Sequence, residues 1–193
     1  MSLDPFRKKS KVIASSDKDM YQLLDENTKI YSLHRKIILS KEDVFEEFRV
    51  KTHNFAVAKA LCGDPGDNVP GIKGLGFKTV AKKFPFLGTD SEILIEDVIS
   101  FCSTHEREST IYKRILENRQ DLERNWRLVY LDGSMLSAAQ ISKVQHAIDT
   151  FVPCVNRIGL IKSLVKEGIG DFNAEEFFYA FNCVEGIGTT SGE

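Results

Sequence analysis

The 193-residue sequence predicts an α/β chain that is predominantly helical. Near the start, short apolar runs alternate with turn residues, which is typical of the strands of a small sheet. Beyond Pro85, apolar residues recur at helical spacing almost without interruption. Hydrophobic residues make up 42% of the chain, which is enough for a substantial core. We therefore expect one compact domain, or one and a half.

The first fifty residues predict a small sheet and one helix. Lys11–Ala14 is an apolar run that reads as a strand, followed by a tight turn and a short helix over residues 20–24. Residues 29–33 and 36–39 predict two further short strands. Ser40 is a good helix N-cap, so a helix is expected from there to about residue 48.

Eight more helices are expected in the rest of the chain. Their predicted spans are residues 54–62, 76–84, 91–103, 105–118, 121–131, 138–151, 156–167 and 174–181. Turns are expected at residues 132–133, 152–153 and 168–170, where glycine or proline interrupts the pattern. Residues 186–193 predict a disordered tail.

Composition excludes several classes of protein. No apolar run approaches the roughly 18 to 20 residues that a membrane span needs, and residues 1–10 have no signal-peptide core. A cytoplasmic protein without membrane association is expected. Cys62, Cys102, Cys154 and Cys183 lie far apart, with no spacing typical of zinc, and are expected to be reduced and mostly buried.

The charge of the chain is unevenly distributed. The net charge is −2, yet the segment between Asn68 and Thr89 contains four lysines and no acid. Such a local patch matters more for phosphate binding than the net charge does. A second basic cluster near residues 7–11 fits either a nucleic-acid contact or a solvated terminus.

Asp17 and Asp19 follow the first predicted strand. As isolated residues, acids at this place are ordinary helix caps. However, the carboxyl end of a buried strand is also where open α/β sheets place their ligand sites. Two acids there could therefore bind a cation together with other carboxylates.

Asp64 and Asp67 lie in a turn-rich segment, Gly-Asp-Pro-Gly-Asp-Asn. Aspartate stabilises turns, so this pair also has a purely structural explanation. The segment lacks the ligand pattern of an EF-hand. Hard carboxylate oxygens directly before a glycine-rich loop instead favour Mg²⁺ or Mn²⁺ beside a phosphate.

The glycine-rich loop at residues 71–76 is neither a Walker A motif nor a dinucleotide fingerprint. Phe77 separates Gly76 from Lys78, and the third glycine of the dinucleotide pattern is replaced by Thr79. This weakens a nucleotide-binding function. A glycine loop between two helices fits a helix-hairpin-helix contact, in which the amides of Gly74 and Gly76 face a DNA phosphate and Lys78 supplies charge.

Two motifs resemble those of the flap endonuclease and 5′ to 3′ exonuclease family, which includes the 5′ nuclease domain of bacterial DNA polymerase I and the phage 5′ nucleases. Ser-Asp-Lys-Asp-x-x-x-Leu-Leu at residues 16–24 resembles the family's acidic strand-to-helix motif. Residues 63–81 resemble its pattern Gly-Asp-x-x-Asp-Asn-x-Pro-Gly-x-x-Gly-x-Gly-x-Lys-Thr-x-Ala almost position for position. The resemblance spans roughly residues 11–84 and points to the family's C-terminal portion, with phage origin favoured.

The resemblance implies the C-terminal part of a PIN-like 5′ nuclease core with a helix-three-turn-helix motif and a helical bundle. It implies that Asp17, Asp19, Asp64 and Asp67 are catalytic metal ligands for Mg²⁺ or Mn²⁺, with two ions in the complete enzyme. It also implies contact with duplex, nicked or flapped DNA, or an RNA–DNA primer, and a K⁺ ion at the Gly71–Gly76 loop. The implied DNA-binding residues are Gly71, Lys73, Gly74, Gly76, Lys78, Thr79, Lys82 and Lys83.

This interpretation divides the chain into five segments. They are an N-terminal tag or basic arm (1–10), the sheet with the metal-ligand turn (11–50), the DNA-binding region (51–90), the helical bundle (91–185) and the tail (186–193).

The chain departs from the family pattern in one important respect. The family's earlier carboxylates and its helical arch have no counterpart here, so the chain is expected to be a fragment or one piece of a split enzyme. A complementing N-terminal half would then complete it, and the chain by itself is expected to be inactive. The alternative is a structure-specific DNA-binding module without hydrolysis, but such a module has no need of four carboxylates beside a phosphate.

Overall fold

Three short strands form a sheet in the order β1–β2–β3 in the computed structural model, which describes residues 8–150 and 156–188. The strands are β1 (Lys11–Ala14), β2 (Thr28–Ser32) and β3 (Ile37–Leu39). β1 pairs with β2 in parallel, and β2 pairs with β3 in antiparallel. Ile30 and Leu39 lie opposite each other in the sheet and are both buried. The three predicted strands are confirmed to within one residue at each end.

Six α-helices follow the sheet and share its core. They are α1 (Lys41–Phe48), α2 (Phe55–Cys62), α3 (Phe77–Lys83), α4 (Ile95–Thr104), α5 (Thr110–Glu117) and α6 (Arg119–Val129). Ser40 caps α1 as predicted, in a reciprocal capping box with Asp43. The predicted helix at residues 20–24 is instead a 3-10 helix, Lys18–Leu23.

Two helices begin later than the sequence predicts. The start of α4 at Ile95 is delayed because the Ile93 amide donates 2.9 Å to the side-chain oxygen of Asn54, which holds that segment extended. The start of α5 at Thr110 is delayed because the Ser109 side chain caps the helix. Apolar residues continue the helical pattern only before α4, at Ile93 and Leu94, whereas residues 105–109 are all polar and contain a short 3-10 helix, Glu106–Glu108. The sequence analysis therefore predicted both helices too long.

Helix α2 lies at the centre of the core. Seven of its residues are buried, from Phe55 to Leu61. Phe55 packs edge-on against Phe48 and Tyr21, and Phe77 stacks on it with ring centroids 5.3 Å apart. This aromatic cluster explains why Phe77 interrupts the Gly-Lys-Thr order, since its ring is anchored in the core.

The chain divides after Met135 into two compact units, and the second contains α7 (Ala138–Thr150), α8 (Arg157–Lys166) and α9 (Ala174–Gly188). This division falls inside the predicted bundle at 91–185, because α4–α6 bury Val98, Ile115 and Leu122 in the core of the first unit. In the second unit, the Arg157 guanidinium lies over the Phe178 ring at 5.0 Å.

Some predictions concern residues at the edge of the described chain. Helix α9 ends at Gly188, whereas its predicted end was residue 181 and the predicted tail began at 186. Residues 1–7, the predicted turn at 152–153, Cys154 and the rest of the predicted tail lie outside the described residues.

The described cysteines have different environments. Cys102 is buried, Cys62 is partly buried, and burial raises the pKa of each to about 12. Cys183 is exposed, so the expectation of buried thiols does not hold for it. Within residues 8–150 and 156–188, every helix is too short or too polar to cross a bilayer.

Candidate metal centre and nucleic-acid loop

The turn after β1 positions Asp17 and Asp19 differently. Asp17 is the N-cap of the 3-10 helix, and its Oδ1 accepts the Asp19 amide at 2.8 Å. This cap directs the Asp19 carboxylate towards α2, where it contacts Lys59. The two acids are therefore neighbours in sequence that face different partners.

Asp64 and Asp67 lie in a tight turn that follows α2. Asp64 and Val69 exchange two backbone hydrogen bonds, of 2.8 and 2.9 Å, which close the turn. Inside it, the Asp64 side chain accepts the Gly66 amide at 2.9 Å, and Asn68 adopts a left-handed conformation with φ 55°. The segment therefore forms a turn, as its composition predicts, and the same turn carries the carboxylates of Asp64 and Asp67.

Three of the four predicted carboxylates converge. Asp19, Asp64 and Asp67 each place one carboxylate oxygen so that all three lie within 4.8 Å of one another. Asp17 is not part of this group. Three hard oxygen donors at this spacing fit a divalent cation such as Mg²⁺ or Mn²⁺.

Lys59 is the residue of this centre that the sequence analysis missed. Its side chain is only 3% exposed, and its Nζ donates to Asp19 and, at 2.6 Å, to Asp64. A single lysine in the otherwise apolar helix α2, five residues before Asp64, was the available signal. Sequence alone could not show that this lysine points at the carboxylates rather than at solvent.

The charges in the centre are strongly coupled. Burial disfavours the Lys59 ammonium, but hydrogen bonds from it to Asp19 and Asp64 outweigh that effect and raise its pKa. The same contact lowers the pKa of Asp64, whereas burial dominates at Asp19 and raises its pKa. The two pKa values shift in opposite directions because the Asp19 side chain is the more deeply buried, with 14% of it exposed against 23% for Asp64.

The glycine-rich loop starts at a close crossing of two backbone segments. A Cβ on Gly71 would lie 1.9 Å from the Cys62 carbonyl oxygen, and a Cβ on Gly63 would lie 2.2 Å from the Gly71 nitrogen. No side chain fits at either position. The crossing therefore requires glycine at position 71, and the predicted contact of Gly71 with DNA stays a prediction.

Gly74 and Gly76 lie in a more open part of the loop. Gly74 has φ +90°, which favours glycine, and Gly76 is the N-cap of α3. A Cβ on Gly76 would meet nothing within 4 Å. A polymer backbone could therefore approach the amides of this stretch closely.

The predicted basic residues follow along the same loop and helix. Lys73, Lys78 and Lys82 are exposed, and the last two lie one turn apart on α3. Lys83 is half-buried with its Nζ over the Tyr112 ring at 5.3 Å, and the Thr79 side chain is also half-buried. The most available charges are thus Lys73, Lys78 and Lys82.

Comparison with known proteins agrees with the two motifs. The chain is 33% identical over 119 residues to a 5′-3′ exonuclease of Aquifex aeolicus, which covers 62% of this chain and 38% of that protein. It is 42% identical over 77 residues to DNA polymerase I of Deinococcus radiodurans, covering 40% of this chain and 8% of that protein. Part of the chain is therefore similar to members of the 5′-3′ exonuclease family. The predicted resemblance is confirmed.

A solved structure shares the fold. A bacteriophage T5 flap endonuclease, described as a complex with DNA and metal ions, superposes with a TM-score of 0.58 at 20% identity, over 72% of this chain and 52% of that one. No family model matches the chain. The chain spans 38% or less of the length of the two curated relatives above.

We expect replacement of Lys59 by methionine to destabilise the fold by about 3 kcal/mol, because it leaves Asp19 and Asp64 facing each other without a counter-charge. Urea unfolding in the presence of EDTA measures this. Lys41→Met is the matched control, since Lys41 pairs with the exposed Glu26, and it should cost about 1 kcal/mol or less. Equal losses in the two variants would contradict a structural role for the buried lysine.

We expect Mn²⁺ to raise the melting temperature of the protein, because a cation relieves repulsion within the carboxylate cluster. Asp67→Asn should abolish this rise, while Asp121→Asn, which changes a half-buried acid on α6 that pairs with Arg124, should not. Thermal unfolding with and without Mn²⁺ measures the effect. The same Mn²⁺ response in wild type and Asp67→Asn would show that these acids are only caps and turn formers.

Proposed function

We propose that this chain is part of a divalent-metal-dependent 5′ nuclease that hydrolyses phosphodiesters in duplex, nicked or flapped DNA, or in RNA–DNA primers. The observation that carries the proposal is the direct continuity between the carboxylate cluster and the glycine-rich loop. Asp64 and Asp67 lie within ten residues of Gly74 in a segment closed by the Gly63–Gly71 crossing. The relatives named above are bacterial, and the fold neighbour is a phage enzyme, so we propose action in a bacterial or phage-infected cell.

The loop and helix α3 would bind the nucleic-acid backbone. Gly74 and Gly76 are exposed, so their amides would face a phosphate, and Lys73, Lys78 and Lys82 would supply positive charge beside them. Thr79 and Lys83 would contribute at the edge of this surface. Any K⁺ would be held by the backbone carbonyls of residues 71–76.

The carboxylate cluster would hold the catalytic metal. Asp19, Asp64 and Asp67 would bind Mg²⁺ or Mn²⁺, and Asp17 would act on the same centre through the cap that orients Asp19. Bound metal ions supply an activated water and stabilise the leaving oxygen in such hydrolysis. Lys59 keeps Asp19 and Asp64 close together, which preserves the arrangement of ligands. Three carboxylates are few for two ions, which supports the need for further ligands from an N-terminal half.

A non-catalytic DNA-binding module is a second candidate, and Lys59 is the observation that favours it. Because the ammonium already neutralises two carboxylates, the cluster repels a phosphate less than four free acids would. In that case, the contacts of Lys59 with Asp19 and Asp64 would serve only to join the sheet to the loop.

We expect Lys78→Ala to weaken binding to duplex DNA similarly for all sequences and to reduce the salt slope of log K by about one phosphate contact. A salt titration with a labelled duplex measures both quantities. Lys36→Ala, in the turn between β2 and β3, is the control and should leave both unchanged. Unaltered affinity and slope in Lys78→Ala would remove the loop from the interface.

We expect the chain alone to bind a 5′-flap substrate and to cleave it negligibly, because part of the metal site and the arch are absent. Adding a polypeptide that carries the missing family strands and arch should restore Mg²⁺-dependent hydrolysis, measured by gel-resolved cleavage of an end-labelled flap. Asp19→Asn should then abolish cleavage.

Asp17→Asn separates capping from chemistry in the same assay. Asparagine caps a helix as well as aspartate does, so this variant should keep its melting temperature. Loss of cleavage would support a role for the Asp17 charge, as the family resemblance implies. Robust cleavage by the unassisted chain that Asp19→Asn abolishes would show that the chain is not an incomplete enzyme.

A further inference from the structure

Arg114 on α5 contacts the glycine-rich loop from a distant part of the chain. Its Nη1 donates to the Lys73 carbonyl oxygen at 2.7 Å. The same nitrogen lies 3.5 Å from the position that a Cβ on Gly74 would occupy. The guanidinium is therefore beside the left-handed turn whose amide would face a phosphate.

The positive charge of Arg114 is not neutralised by an acid. Among the side chains of residues 8–150 and 156–183, no carboxylate forms an ion pair with it within 4.0 Å, and its guanidinium donates one hydrogen bond, to the Lys73 carbonyl. Two of the three arginines on the next helix do have acidic partners, since Arg119 pairs with Glu123 at 2.7 Å and Arg124 with Asp121 at 2.9 Å. A guanidinium has five N–H donors, so Arg114 can hold the turn and still donate to a ligand.

A second residue shows that the loop is held in shape by the helices behind it. Asn125 on α6 is fully buried and donates to the Pro70 carbonyl oxygen at 2.6 Å. Its own Oδ1 has no partner, which is a cost that a buried amide rarely bears. The loop is thus anchored at Pro70 by a neutral group and at Lys73 by a cation. Only the cation can also attract a phosphate.

We infer that Arg114 binds the same backbone phosphate as the Gly74 amide, while it holds the Lys73 carbonyl in place. This inference rests on the proposed nucleic-acid contact of the loop. The planar fork of arginine allows both bonds at once, because its donors point in different directions. Lysine offers a comparable charge without that geometry.

Duplex binding measured over a range of salt concentrations tests this inference. Arg114→Gln should weaken binding about tenfold and lower the salt slope by about one contact. Arg114→Lys should keep the slope and weaken binding less. Arg124→Gln is the matched control because it removes an arginine that already has a partner, and it should change neither quantity.

The salt slope separates a phosphate contact from a purely structural bond. If Arg114→Gln weakens binding but leaves the slope unchanged, Arg114 only braces the loop and the inference is overturned. If Arg114→Gln lowers the melting temperature, Arg114→Met, which retains the alkyl stem, takes its place, and its affinity and salt slope are interpreted in the same way. If Lys78→Ala lowers the slope and Arg114→Gln has no effect, the inference about Arg114 is wrong but the proposed function stands. If wild type shows no salt-dependent binding, both the inference and the proposed function are wrong.

Discussion

The buried contact of Lys59 with Asp19 and Asp64 is the interaction on which this site depends. It joins the turn after β1 to helix α2 and the turn that follows it, and Asp19 lies 40 residues before Lys59 in the chain. Lys59 lies on the most buried helix of the fold, so its position is determined by the core. Because a buried ammonium without counter-charges would be costly, the acids and the lysine require one another.

The crossing of Gly63 and Gly71 has a second structural effect. It folds the chain back directly after α2, so the carboxylates of the turn and the amides of the loop belong to one short segment. The Ile72 amide extends this contact by donating to the Leu61 carbonyl at 2.9 Å. The crossing and this hydrogen bond therefore hold the acidic turn directly beside the glycine-rich loop.

Helices α5 and α6 contribute more to the loop than their sequence indicates. They follow the recognisable motif and are ordinary amphipathic helices by pattern, yet Arg114 bonds the Lys73 carbonyl in the loop and Asn125 bonds the Pro70 carbonyl directly before it. The division of the chain after Met135 is consistent with this, since both helices belong to the unit that contains the loop. The motif is therefore only part of what gives the loop its conformation.

Local signals in the sequence were sufficient for the strands, the capped start of α1, the end of α2 at Gly63 and the presence of the two acidic turns. Each of these depends on residues within a few positions of one another, such as Ser40 with Asp43. The family resemblance likewise depends on two contiguous motifs. The sequence also indicated which residues carry charge in the loop.

Only the folded chain decided which of those residues meet. Asp17 turns to its own cap while Asp19 turns to Lys59, although the two acids are two residues apart. The partners of Lys73 and Pro70 lie 41 and 55 residues further along the chain. Such pairs depend on how helices pack around a shared core, and the periodicity of a helix shows which face is buried but not which distant group it will contact.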